Sequence, residues 1–261
     1  MARLMCFATH HKTGTVWINH VLKELAEKTG IHKEAATNPR RAADLPPTGR
    51  IIATSWSGYF PPVIWENASA AFLHLIRDPR DVLISGCAYH HTAPEKWEKF
   101  LHVPRDDLGG LTYQQHLNAL DDPEDKLLFE MENSHKNTIT EMRDWPYGDP
   151  RIIELRYEDL IVDYDCAIFR GALEHLGLTG ADLEVGVQAF WNNSIFGGQA
   201  DPQKREGRFA VHISSNGQVA RWKAGLSRRV GQIYAERYGA DLIALGYERD
   251  MDWVRLLPEA I

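Results

Sequence analysis

Lys12, Thr13, Gly14 and Thr15 stand between an apolar run and a helical pattern, and a turn of that composition can hold an anion. Backbone N–H groups at a helix start point outward with the positive end of the helix dipole behind them, which suits a phosphate. Gly14 lets the chain come close to the anion, Thr13 and Thr15 carry hydroxyl donors, and Lys12 brings a mobile point charge. The plain alternative is a strand-to-helix turn with no ligand. Arg77 and Ser85 form a second cluster. Asp78 caps a helix, Pro79 suits its first turn, and Ser85 returns to the helix face nearest Arg77, so the two side chains can grip one phosphate. Otherwise they are a surface arginine and a helical serine with nothing in common. Twelve histidines invite a metal, yet there is no HExxH pattern and the adjacent pairs His10-His11 and His90-His91 cannot aim both rings at one ion. No metal site is expected.

These clusters need elements to position them. Residues 3–9 read as a buried strand, and Val16, Ile18, Val21, Leu22 and Leu25 recur at near-helical spacing until Gly30 stops the pattern. A Pro-rich loop covers 38–49, a strand 50–54, and a short helix follows Pro61-Pro62. Residues 71–76 are the clearest buried strand, ending in Arg77-Asp78-Pro79-Arg80-Asp81, where another helix begins. From Ala93 to Trp145 the pattern is helical and uneven, with Trp97, Phe100, Tyr113, Leu117 and Leu120 expected to face inward. A strand at 151–156 runs into Tyr157-Glu158-Asp159-Leu160 and a helix reaching Leu176, closed by Gly177. The remainder is mostly helical, broken by a polar loop from Gly197 to Gly217. Strands alternating with helices give an α/β class: a three-layer α/β/α fold with a central, mainly parallel sheet and any nucleotide at the carboxyl ends of its strands. With no repeat, low-complexity tract or linker, residues 1–261 read as a single domain.

Composition narrows the partners. The chain has 261 residues, 44% hydrophobic and 25% charged, which excludes disorder, collagen and coiled coil. Its net charge of −7 provides no global positive field for a nucleic-acid polymer or an anionic membrane, so an anion must be held by a local cluster. No apolar stretch approaches a membrane span, no basic-then-apolar leader opens the chain, and Cys6, Cys87 and Cys166 form no CxxC pair. A reducing, cytoplasmic setting is the expectation.

The order Lys12-Thr13-Gly14-Thr15-Val16-Trp17 resembles the 5′-phosphosulfate loop of the PAPS-dependent sulfotransferases, commonly Pro-Lys-Ser-Gly-Thr-Thr-Trp, with His11 in place of the proline. Leu75 to Ser85 resembles the family's 3′-phosphate segment, an arginine followed eight residues later by a serine. Tyr157-Glu158-Asp159 resembles the motif whose tyrosine approaches the adenine, Trp17 matches the residue that stacks on that base, and Ser194-Ile195-Phe196 resembles the turn that finishes the adenine pocket. Gly217 to Lys223 resembles the segment Arg-Lys-Gly-x-x-Gly-Asp-Trp-Lys that closes over the 3′-phosphate, but Ser215 and Asn216 replace its two cations, Ala220 a glycine and Arg221 the aspartate. Arg221, Lys223 or Arg208 would restore the charge.

The resemblance implies a cytosolic-type sulfotransferase domain, of a bacterial-like kind, with a P-loop-like phosphosulfate-binding loop. PAPS would be the co-substrate and PAP the product, held by Lys12, Thr13, Gly14, Thr15, Val16, Trp17, Arg77, Ser85, Tyr157, Ser194, Phe196, Gly217 and Arg221. The acceptor would be a small molecule or glycan bearing a hydroxyl or amine, and a homodimer is admitted. Lys12 would meet the charge that builds on the leaving phosphate. The family's base is a histidine after the second strand, and Ser55 occupies that position here. His90 and His91 come first as replacements, ahead of His10, His11 and Glu66, and solvated residues at a helix end are the plainer reading of that pair. Two rivals stay open: a P-loop nucleoside or metabolite kinase, disfavoured because Lys12 precedes Gly14, and a non-catalytic PAP-binding protein, favoured by Ser55.

Overall fold

A computed structural model describes residues 4–94, 98–207 and 217–261, so Trp97, Arg208, Ser215 and Asn216 lie outside the described residues. The chain forms two compact units, Met1–Arg77 with Asp144–Gln218 and Asp78–Arg143 with Val219–Ile261.

The first unit is built on five strands, β1 (Leu4–Ala8), β2 (His32–Ala35), β3 (Ile51–Ser55), β4 (Ala70–Ile76) and β5 (Ile152–Arg156). They lie in the order β2-β3-β1-β4-β5, and every pairing is parallel. β1 sits centrally, with Ala8 opposite Ser55 on one side and His74 on the other. Its five residues are all buried, as a strand covered on both faces requires. On one face α1 (Thr15–Thr29), α9 (Ala167–His175) and α10 (Gly180–Asn193) pack Ile18, Leu22, Phe169 and Phe190 against Met5, Phe7 and Leu73. On the other, α2 (Pro39–Ala43) and α3 (Pro62–Trp65) cover Cys6, Ala53 and Phe72 through Ala42 and Ile64, with Phe60 just ahead of α3 in the same cluster. The three layers and parallel sheet are those expected. Gly30 ends α1 in the left-handed conformation, as its place after the helical pattern foretold. β2 was not foreseen: it is a short edge strand, alternately exposed and half-buried, with a polar sequence that carries no strand signal.

The second unit is helical. α4 (Pro79–Thr92) opens on the Asp78 side chain, which accepts from Arg80 N–H, with Pro79 in the first turn. α5 (Tyr113–Ala119), α6 (Pro123–Glu132) and α7 (Ser134–Arg143) follow, and two later helices, Trp222–Gly225 and Arg228–Ala244, complete the core with Tyr113, Leu117, Met131, Ile139, Tyr234 and Leu242. Tyr113 and Leu117 face inward as expected, whereas Phe100 is 45% exposed. It lies in a 3-10 turn, Lys99–His102, that breaks the helical repeat assumed for this stretch. Arg80 is buried between Asp78 and Glu248 with its guanidinium over Trp222 and Trp253. α8 (Tyr157–Leu160), in the first unit, continues directly from β5. Among the described residues no helix is long and apolar enough to cross a membrane.

His135 is wholly buried, bonded at Nε2 to the Tyr234 hydroxyl (2.9 Å), and burial pushes its imidazole down to about 3 from an ordinary 6.5. The folded state keeps this ring neutral while the unfolded chain protonates it, so stability falls as pH drops from 6.5 towards 3. The loss is about 1.4 kcal/mol per pH unit. Urea midpoints measured between pH 7 and 4.5 should show His135→Gln with a shallower decline than the wild type; equal slopes would contradict the assignment.

Candidate functional site

The loop after β1 is organised by its own hydroxyls. Thr13 Oγ1 accepts from His10 N–H (2.9 Å) and donates to the His10 carbonyl (3.0 Å), and Thr15 Oγ1 donates to the same carbonyl (2.7 Å). Thr9 and Thr15 join through their hydroxyls at 2.8 Å. Thr13 is fully buried, and its hydroxyl serves the turn. Lys12 adopts φ 64° and Gly14 φ 107°, both left-handed. Gly14 is the N-cap of α1, and a β-carbon there would lie 3.2 Å from the Tyr157 ring. Gly14→Ala should therefore cost about 1–2 kcal/mol in unfolding free energy, read as a lower urea midpoint; an unchanged midpoint would show that the loop tolerates a side chain.

Arg77 leaves the end of β4 and turns onto this loop. Its Nη1 donates to the Lys12 carbonyl at 3.1 Å and its Nη2 to the Gln218 carbonyl at 3.4 Å. The guanidinium lies 4.3 Å over the Tyr157 ring. Trp17 meets Tyr157 edge to face and stacks on Phe190 at 5.0 Å. Phe196 also packs on Phe190, and Ser194, buried at the end of α10, donates its hydroxyl to Trp191 O. Gly217 takes φ 70°, and a β-carbon there would strike Ile161 and Ile195. Val16 is half-buried in the first turn of α1. The first unit thus gathers Lys12, Gly14, Trp17, Arg77 and Tyr157 by direct contact, with Phe196 one ring further out.

In the second unit Ser85 is half-buried on α4, and Arg221 is half-buried at the start of helix Trp222–Gly225. Ala220 holds φ 55°, a conformation that glycine adopts at no steric cost. His90 is not a solvated helix-end residue. It is completely buried, its Nδ1 lies 2.8 Å from Glu130 Oε2, and the Tyr113 hydroxyl donates to the same oxygen at 2.6 Å. Burial, then the Glu130 carboxylate, raises the Tyr113 phenol far above its ordinary value. His91 is half-buried with Nε2 3.1 Å from Lys126 Nζ. Glu66 is exposed.

Two further groups lie near the loop, and of these only His74 was not singled out from sequence. The Ser55 hydroxyl is buried and makes no hydrogen bond. His74, inside the apolar strand β4, bonds His10 Nε2 to Nε2 at 2.8 Å, and its Nδ1 lies 3.4 Å from Glu154 Oε2, close but outside hydrogen-bond geometry. Burial, reinforced by His10, holds the His74 imidazole well below its usual value, so it is neutral. A histidine in an otherwise apolar strand is the one signal that marked it. Among the described residues no group of three metal-ligating side chains converges.

No protein-family model matches the sequence, and no curated protein matches it. Solved structures do. Mouse sulfotransferase SULT7A1 complexed with PAP is 14% identical with a TM-score of 0.54, over 92% of this chain and 84% of that one. Retinol dehydratase in complex with androsterone and inactive cofactor PAP is 15% identical at 0.53, over 92% and 80%. The same enzyme in complex with retinol and PAP is 14% identical at 0.54, over 92% and 81%. With its parallel five-stranded sheet and the loop that follows β1, the chain has the α/β fold of the sulfotransferases.

Proposed function

We propose that the protein is a sulfotransferase that moves a sulfonate group from PAPS to a hydroxyl or amine of a small molecule or glycan. The observation that carries this reading is the contact of Arg77 with both the Lys12 carbonyl and the Tyr157 ring, in a fold shared with proteins complexed with PAP. It joins three separate motifs around one spot. PAPS supplies the sulfonate and the phosphate that leaves. Backbone N–H groups of the Lys12-Thr13-Gly14-Thr15 loop hold the 5′-phosphate, and the Lys12 amine meets the charge on the bridging oxygen as the S–O bond lengthens. Trp17, Tyr157 and Phe196 take the adenine, with Ser194 and Gly217 fixing the turns behind it. Arg77, Ser85 and Arg221 are assigned to the 3′-phosphate. His90 is assigned to the acceptor proton, the Glu130 carboxylate holding its Nδ1–H so that Nε2 is the basic nitrogen; His91 is the alternative.

The test compares thermal shifts with PAP, AMP and ATP with magnesium, followed by turnover of radiolabelled PAPS against a panel of phenols, alcohols, amines and sugars. At a ligand concentration of about 100 Kd, PAP should stabilise the fold by about 2.7 kcal/mol, and label should pass to an acceptor. Stabilisation by ATP with magnesium but not by PAP would install the kinase reading. Binding of PAP without transfer to any acceptor would install the non-catalytic reading, to which Ser55, in the position where the resemblance implies a histidine base, lends support.

A further inference from the structure

The His10 peptide is the hub of the loop: its N–H donates to Thr13 Oγ1, and its carbonyl accepts from Thr13 N–H, Thr13 Oγ1 and Thr15 Oγ1. Whatever fixes His10 therefore fixes the groups that face an anion. Its imidazole, fully buried, is gripped from two sides. On one, His74 bonds it at 2.8 Å with the rings edge to face. On the other, Gly58 approaches so closely that a β-carbon would lie 2.3 Å from His10 Cε1. His74 is in turn held by β4 and by the Trp145 ring, stacked on it at 4.2 Å. A run of contacts thus leads from the sheet through His74 and His10 into the loop.

Two facts separate this pair from ordinary packing. Burying two imidazoles costs solvation that an apolar pair of the same size would not, and a hydrogen bond recovers only part of it. What the pair provides instead is direction. The loop also carries two left-handed residues in a row of three, Lys12 and Gly14, and such backbone persists only where the surroundings over-determine it.

We infer that His74 is a positioning residue of the phosphate loop, acting through His10 and touching no ligand itself. The inference rests on the nucleotide reading above, in which the loop holds the 5′-phosphate. Loss of the bond between the rings should then weaken only those ligands that carry a phosphate at the 5′ position.

The experiment measures calorimetric dissociation constants of PAP, AMP and adenosine 3′-phosphate for the wild type, His74→Phe and His74→Gln. Phenylalanine keeps the stack on Trp145 and removes the nitrogen, whereas glutamine can bond His10 from nearly the same place. For His74→Phe, PAP and AMP should each weaken about tenfold, the worth of one hydrogen bond, while adenosine 3′-phosphate is unaffected and His74→Gln recovers most of the loss. Equal weakening of all three ligands, or none, would overturn the inference. Wild-type protein that binds none of them removes the nucleotide reading and this inference with it. Should His74→Phe not fold, ring ¹H–¹⁵N signals of His10 and His74 in the wild type serve instead. They should move on addition of AMP and stay still with adenosine 3′-phosphate; signals indifferent to AMP would overturn the assignment.

Discussion

Lys12→Ala should lower sulfonate transfer by about 10²–10³-fold, the loss typical when one preorganised stabiliser of developing charge is removed. PAP binding should weaken far less, because the backbone donors of the loop remain. The structure makes this variant clean. Lys12 already holds φ 64° with a β-carbon in place, so alanine adds no new backbone strain. Its carbonyl is tied to Arg77 independently of the side chain, so the loop keeps its anchor. Initial rates with labelled PAPS and calorimetry with PAP measure the two quantities separately. A rate near that of the wild type would end the assignment of Lys12 to the leaving group, and a parallel collapse of PAP affinity would recast it as a binding residue.

Arg77→Ala should cost more in binding. Sequence alone assigns Arg77 to the 3′-phosphate, which predicts a far larger loss for PAP than for AMP. The structure alters that expectation, because two guanidinium nitrogens also donate to the carbonyls of Lys12 and Gln218. Removing them frees the loop that serves the 5′-phosphate, so AMP weakens as well. A hydrogen bond to a charged group is worth about 1.5–3 kcal/mol, which corresponds to about tenfold to a hundredfold in affinity. PAP should therefore lose one such factor beyond the loss seen with AMP, and the ratio of the two losses reports the 3′-phosphate contact alone. Identical losses would leave Arg77 as a brace for the loop and nothing more. Arg77→Lys should fall between, since an ammonium keeps the charge but not the fork that reaches two carbonyls and covers Tyr157.

Four of the five strands could be recognised from sequence, β1, β3, β4 and β5, because each carries a run of mainly apolar residues. β2 escaped because an edge strand carrying His32, Lys33 and Glu34 has no such run. Phe100 differs from its expected place for a related reason: helical spacing does not hold through a stretch that the chain spends on short 3-10 turns. At the site, Lys12, Gly14, Arg77 and Tyr157 were legible as separate motifs, but that Arg77 bonds the Lys12 carbonyl was not, since a backbone acceptor has no residue type. Thr13 shows the limit from the other side. Its type suggests a donor to the anion, and its hydroxyl serves the turn instead. The His10–His74 bond joins residues far apart in the chain and distant pairing leaves no local spacing to detect.

The first unit is assembled from two stretches of chain, Met1–Arg77 and Asp144–Gln218, with β5 coming from the second. During synthesis on the ribosome, β4 therefore emerges with an unsatisfied border and waits for Ile153 to reach Leu73 until the whole of α4 to α7 has been made. Until then the open edge of β4, a seven-residue and mainly apolar strand, is exposed to wrong partners, including its own neighbours on a polysome. Chaperone occupancy should peak between the emergence of Ile76 and that of Arg156, and fragments ending in that interval should be recovered from inclusion bodies.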